Sequence, residues 1–194
     1  MKLLAIDPGP ETCGVVLLDV DQWPPTVLSH RAKTPVADVL TALRSDEQQG
    51  VPVACERCAP YGKRSVGAEV FETCEIFGDI RATCRDHGID FTPIFRREVK
   101  MRLGLQVSVG DPQVNEVVRL TYPATGGGKT PQKGTKARPG PLYGLADDSW
   151  AALGVGLAWV LERERERRAA DLERLKASGD ATGPLFDSTL QSTP

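Results

Sequence analysis

The chain has 194 residues, 40% of them hydrophobic, and a formal net charge of −2. That is enough apolar material for one sizeable core, and the near-neutral balance excludes an overall basic field, so any polyanion-binding signal has to be local. No apolar run approaches membrane-spanning length and no signal peptide precedes the first apolar segment, so a soluble, cytoplasmic protein is expected. The five cysteines (Cys13, Cys55, Cys58, Cys74 and Cys84) are an odd number and point to reduced thiols.

Residues 1–7 form a short apolar run ending in Asp7 and a Pro-Gly turn, and residues 14–19 follow as the second arm of a hairpin. Leu3, Ala5 and Asp7 share one face of such a strand, with Leu4 and Ile6 on the other. A strand apolar on both faces is central, which puts Asp7 at the rim of its sheet. Asp before Pro also begins turns, so position alone does not separate a turn residue from a ligand.

Residues 26–31 read as a third strand, and Pro35 at a first helical position opens a helix over 36–43. Residues 51–56 form the next strand and finish in Glu56. A loop over 57–66 carries Tyr61, Lys63 and Arg64. A long helix is predicted over 67–87, with Phe71, Cys74, Phe77, Ile80 and Cys84 recurring every three or four residues and Gly88 as its C′ glycine. Residues 89–94 are a fifth strand, and residues 95–106 bring Arg96, Arg97, Lys100 and Arg102 close together. Asp111 as N-cap and Pro112 at N1 then open a helix to about residue 122, with Val114, Val117 and Val118 inward.

Residues 123–141 read as a flexible basic loop rich in Pro, Gly and Lys. A last helix is expected from 144 or 145 to about 177, small and apolar at first and almost wholly charged over 162–168. The tail 178–194 is expected to be disordered. This order predicts an α/β protein, a mixed five-stranded sheet with helices on both faces, as a single domain over 1–177.

Acids stand at three chosen places: Asp7 after the first strand, Glu56 after the fourth, and Asp147-Asp148 at the start of the last helix. Neighbouring first and fourth strands would bring them to one end of the sheet. Clustered carboxylates repel one another strongly unless cations bind. Oxygen ligands with few histidines point to Mg²⁺, or Mn²⁺, and not to zinc. Two such ions about 4 Å apart would activate a water and stabilise the leaving oxygen of a phosphodiester.

These residues resemble a known family. Ala5-Ile6-Asp7-Pro8-Gly9, followed by a glycine-led second strand, is similar to the opening of RuvC-type Holliday junction resolvases, which have the ribonuclease H-like fold. Val53-Ala54-Cys55-Glu56 resembles their strand ending in the second catalytic acid, and residues 148–155 resemble their final helix. The resemblance spans about residues 1–160, and its divergence points to a phage-encoded member acting in the host cytoplasm. It implies a metal-dependent, structure-selective endonuclease that cuts branched DNA by paired symmetric nicks and leaves 5′-phosphates. Asp7, Glu56 and Asp148 would be catalytic metal ligands, with two ions in each site. The family carries a further Asp or His three residues before the last Asp. That position is Leu145 here, and Asp147 either substitutes for it or merely starts the helix, where an acid favours the dipole.

Residues 96–138 hold nine basic side chains against three acids, a local balance of +6 within a chain of −2. Arg96, Arg97, Lys100, Arg102, Lys129, Lys133, Lys136 and Arg138, with Lys63 and Arg64, are therefore candidate phosphate contacts. Tyr61 is the one aromatic in a loop that matches in position the family's junction-inserting segment, so it is a candidate for stacking on an unpaired base. A P-loop reading of residues 126–130 fails, because Pro123 stands where the first glycine belongs. Cys55 and Cys58 lack a second pair with zinc spacing. The stripe on 67–87 fits core packing or, by the resemblance, a two-fold dimer. Two rivals stay open: a non-catalytic branched-DNA-binding module, and a phosphotransferase of the sugar-kinase or actin superfold.

Overall fold

The structure is a computed structural model that describes residues 1–58 and 67–177. Tyr61, Lys63, Arg64 and the tail 178–194 lie outside the described residues. Strands β1 (Lys2–Asp7), β2 (Thr12–Asp19) and β3 (Thr26–Pro35) precede helix α1 (Val36–Leu43). Strand β4 (Val53–Arg57), helix α2 (Ala68–Asp86), strand β5 (Phe91–Phe95) and helices α3 (Arg96–Arg102) and α4 (Asp111–Thr121) follow. A short hairpin of β6 (Gly134–Thr135) and β7 (Arg138–Pro139) leads to helix α5 (Ser149–Ala177).

The five-stranded sheet has the order β3-β2-β1-β4-β5. β1 pairs antiparallel with β2 and parallel with β4, so it is central, as its two-sided apolar pattern predicts. The two faces bury two separate cores. Leu3, Val16, Leu18, Ala54 and Ile94 pack with Val99 of α3, Val114 and Val118 of α4, and the apolar start of α5. Leu4, Ile6, Cys13, Val53 and Cys55 pack with Val39 and Leu43 of α1 and with Phe77, Ile80 and Cys84 of α2. Helices therefore cover both faces, and the alternation of Ala54, Cys55 and Glu56 turns Glu56 to the same side as α3, α4 and α5.

Several expected boundaries move, each for a local reason. Pro35 ends β3 and serves as the N-cap of α1 instead of opening the helix. Gly110, in extended conformation, takes the N-cap place of α4, which moves Asp111 and Pro112 into its first turn. The last helix starts at Ser149, not at 144 or 145. Gly144 (φ 82°) and Asp147 (φ 40°) are left-handed, and no right-handed helix runs through such residues. The 123–141 segment, expected as a flexible loop, carries the β6–β7 hairpin and is tied across itself. The Gly126 N–H donates to the Pro131 carbonyl at 2.8 Å, and the Leu142 N–H to the Gln132 carbonyl at 2.8 Å.

Residues Met1–Leu161 form one compact unit. From Glu162 on, a second unit carries ion pairs one helical turn apart, such as Glu164–Arg167 and Glu173–Lys176, both at 2.8 Å. Such surface pairs add little to stability. Among the described residues no helix is long and apolar enough to cross a membrane.

α5 lies very close to the sheet. A Cβ on Gly156 would stand 2.5 Å from Leu18 Cδ1 and 3.2 Å from the Ala5 Cβ. Gly78, in the middle of α2, has nothing within 4 Å of the same position. The two glycines should therefore respond oppositely to alanine. Gly156→Ala should cost about 1–3 kcal/mol through overpacking, and Gly78→Ala should add about 0.5–1 kcal/mol through helix propensity. Thermal melts of the two variants read this directly, and equal shifts would show that α5 does not need its close approach.

Candidate active site

Parallel pairing of β1 with β4 aligns Leu4 with Val53, Ala5 with Ala54 and Ile6 with Cys55. The next residues, Asp7 and Glu56, therefore leave the sheet side by side on the face of Ala5 and Ala54. On its other side Asp7 pairs with Gly14 of β2. A Cβ on Gly14 would overlap the Asp148 carbonyl and stand 2.9 Å from the Asp148 Cβ, so glycine is what lets Asp148 settle over this pair. A tight turn fixes the approach to α5: Ser149, fully buried, donates through both its N–H and its hydroxyl to the Ala146 carbonyl. The Asp148 carbonyl then accepts the Ala152 N–H at 3.1 Å, as the helix begins.

Asp7, Glu56 and Asp148 line one pocket of about 290 Å³ together with Asp111, Asp147, Arg96, Asn115, Trp150 and Ala151. Asp7 and Asp148 also border a neighbouring pocket that contains Glu11 and Glu69. The exposed, left-handed Asp147 stands on the pocket's edge. Leu145 is 3% exposed and belongs to the core, so it has no route into the site.

The pocket is electrostatically strained. Burial, and then the charge of Glu56, push the Asp7 carboxyl well above the usual carboxylate range, with Arg96 opposing and Asp148 adding to the rise. Among the described residues no hydrogen bond or ion pair reaches the Asp7 carboxylate. Burial also raises Glu56, and Arg96 offsets only part of that. Arg96 Nη1 lies 3.1 Å from Glu56 Oε2, and its Nη2 lies 2.5 Å from Asp111 Oδ1. The hydrogen bond from Arg96 holds Asp111 below its ordinary value. Burial works against the charge of Arg96, but Glu56 and Asp111 outweigh it and raise its pKa.

The residues suit a hard divalent cation. Asp7 is a half-buried carboxylate without a partner among the described residues, and its donors are oxygens only. Among the described residues no group of three or more His, Cys, Asp or Glu side chains is already arranged to hold a metal ion. Glu56 is engaged with Arg96, so side-chain rotation would have to complete any ligand set.

The structure redistributes the expected basic residues. Arg96 was expected as a clamp on the nucleic-acid backbone; instead it is inside the acidic pocket, because two carboxylates compensate its burial. Its side chain is 16% exposed. Arg97 is exposed and lies 5.1 Å from the centre of the Phe95 ring. Lys100 donates to the Val107 carbonyl at 3.1 Å, and Arg102 pairs with Glu98 at 3.6 Å. Lys129, Lys136 and Arg138 are exposed on the hairpin segment. Lys133 Nζ sits 5.0 Å from the centre of the Trp150 ring, which places one hairpin cation beside the acidic pocket.

Sequence reasoning missed Asp111, Asn115 and Trp150 as pocket residues, and it missed Arg57. Asp111 and Asn115 are four apart and share a face of α4, a spacing that could have flagged them. Arg57 is exposed and stacks 5.1 Å from the Phe95 ring centre and 5.9 Å from that of Phe77. Only the pairing of β4 with β5, Arg57 opposite Phe95, brings that stack together.

A five-stranded mixed sheet with this order and helices on both faces is the ribonuclease H-like fold, an architecture shared by RuvC. A structure of Thermus thermophilus RuvC matches with a TM-score of 0.58 and 18% identity, over 86% of this chain and 97% of that one. T. thermophilus RuvC in complex with a Holliday junction substrate matches with a TM-score of 0.62 and 17% identity, over 86% of this chain and 96% of that one. No protein-family profile matches the chain, and no curated protein sequence matches it.

The raised Asp7 carboxyl has a sign that can be measured. Ionising it costs the folded protein more than the unfolded one. Stability therefore falls as pH climbs from the ordinary carboxylate range through the raised value, and then levels off. In chelator at neutral pH, Asp7→Asn should melt above the wild type by ~2–4 °C per kcal/mol of relieved repulsion. The gap should close below about pH 4, where both states of the wild type are protonated. Calorimetry across pH checks this; a variant that melts lower at neutral pH would contradict the pocket's assigned strain.

Proposed function

We propose that this protein is a metal-dependent, structure-selective endonuclease that resolves Holliday junctions or other branched DNA by paired symmetric nicks. The products would carry 5′-phosphate and 3′-hydroxyl ends. One observation carries the reading: Asp7, a half-buried carboxylate without a partner among the described residues, shares a pocket with Glu56 and Asp148 on a RuvC-like fold. The fold of a RuvC bound to a Holliday junction substrate supports branched DNA as the substrate class.

In this reading Asp7, Glu56 and Asp148 hold Mg²⁺ or Mn²⁺, with Asp147 within reach at the rim. The bound ion supplies a lowered pKa for water and charge stabilisation at the phosphodiester. The protein's own residues orient and screen. Trp150 walls the pocket beside the acids with Lys133 against its ring, and Arg57 and Arg97, stacked on Phe95, present guanidinium groups near the end of β4. Lys129, Lys136 and Arg138 would follow the phosphate backbone and make affinity salt-dependent. Lys63, Arg64 and the stacking residue Tyr61 complete the proposed DNA-contacting set. The phage-encoded origin and host-cytoplasmic location proposed here rest on motif divergence.

Two cuts at symmetric points need two sites related by a two-fold axis, so a homodimer is part of the proposal. α2 divides its stripe accordingly: Phe77, Ile80 and Cys84 are buried in the core, while Phe71 is 62% exposed and Cys74 is exposed. The outward pair is the part available to a partner.

The rival reading, a non-catalytic branched-DNA-binding module, draws on the ion pair that occupies Glu56. A nicking assay on synthetic four-way junctions separates the two. Asp7→Asn, Glu56→Gln and Asp148→Asn should each lower Mg²⁺-dependent nicking by ~10³-fold or more, about 4 kcal/mol of lost transition-state stabilisation. Junction binding should stay within a few-fold. Near-normal nicking by any of the three would defeat the nuclease reading. Lys133→Ala should instead weaken binding and reduce the salt slope of affinity by about one; an unchanged slope would remove that contact.

A further inference from the structure

We propose that Arg96 is a tethered cation that occupies one of the pocket's two cation positions, so that the site accepts a single divalent ion, held on the Asp7 and Asp148 side. The inference rests on the nuclease reading and departs from the two-ion expectation. Five carboxylates line the pocket, and one guanidinium stands among them. Its two terminal nitrogens are divided between two acids, Nη1 on Glu56 at 3.1 Å and Nη2 on Asp111 at 2.5 Å. That is the role a bridging metal ion would fill between them.

Three features make the arrangement durable. Arginine does not deprotonate in proteins, so Arg96 cannot give up its charge to make room for an ion. Its planar fork matches carboxylate oxygens in two directions, which a point charge does not. Its backbone is also anchored. Arg96 is the first residue of α3, and the Glu98 carboxylate closes that turn by accepting the Phe95 N–H at 2.8 Å. A divalent ion between Glu56 and Asp111 would need oxygens at about 2.0–2.6 Å. The guanidinium fills that space, and a second cation against it would be repelled.

The opposite wall differs. Asp7 has no partner among the described residues, and Asp148 lies over the Asp7–Gly14 pair. Glu56 is engaged by Arg96 through Oε2, which leaves Oε1 outside that ion pair. One position is thus held by the chain itself, and the oxygens of Asp7 and Asp148 are the ones that would hold an ion.

The test counts ions on the full chain without DNA, using Mn²⁺ titration followed by electron paramagnetic resonance and calorimetry. The wild type should bind one Mn²⁺ per chain. Arg96→Gln should bind two, should melt lower than the wild type in chelator, and should show the larger rise in Tm on adding Mg²⁺. Two ions in the wild type would overturn the role of Arg96 and leave the nuclease reading standing. No ion in the wild type would overturn both. One ion in both proteins would show that Arg96 blocks nothing. If Arg96→Gln does not fold, side-chain NMR of the wild type decides the matter. Arg96 Nη resonances that persist in slow exchange at saturating Mg²⁺ support the tether, and their collapse on adding Mg²⁺ overturns it.

Discussion

Mutual repulsion among carboxylates gathered at one rim of the sheet is the constraint to which the rest of the structure answers. Asp7 and Glu56 are neighbours because β1 and β4 run parallel in a register that leaves no alternative. Asp148 joins them because α5 starts directly over the β1–β2 pair. Such a cluster is unfavourable as it stands, since each buried charge loses hydration and meets others of its own sign. The fold keeps it by making the surrounding scaffold rigid. Two dense cores grip the strands from both faces, so the cost at the rim is borne by packing elsewhere.

Close approach is the second theme. Gly14 admits the Asp148 backbone, and Gly156 lets α5 settle on Ala5 and Leu18. Both are places where one methyl group would push the last helix away from the strand that carries Asp7. The same helix supplies the core and aims an acid, which links stability and site geometry through a single packing distance. The left-handed Asp147 and Gly144 bend the chain so that the helix starts where Asp148 is needed.

Charge is arranged at two scales. The +6 balance of residues 96–138 marked a local basic stretch of candidate phosphate contacts. The fold divides it. Arg96 turns inward as a counter-ion, Arg102 and Lys100 satisfy local acceptors, Lys133 packs on Trp150, and Lys129, Lys136 and Arg138 stay outward. Arg57 joins the outward set although it precedes that stretch. A count of charges along the chain measures a field, but whether a cation meets water, a ring or a carboxylate depends on folding.

Local regularities were legible in the sequence because their causes are local. Alternation with period two placed Leu3, Ala5 and Asp7 on one face and identified β1 as central. Recurrence every three or four residues found α2, a small apolar run found the start of α5, and the acids closing β1 and β4 stood out as interruptions of apolar runs. Tertiary structure alone decided that Arg96, forty residues beyond Glu56, neutralises it. It also brought Asp111 and Asn115 into the pocket, stacked Arg57 on Phe95, and delayed α5 to Ser149. These depend on which surfaces face one another across strands and helices, and on how much water is excluded between them. No pattern of spacing along the chain carries that information.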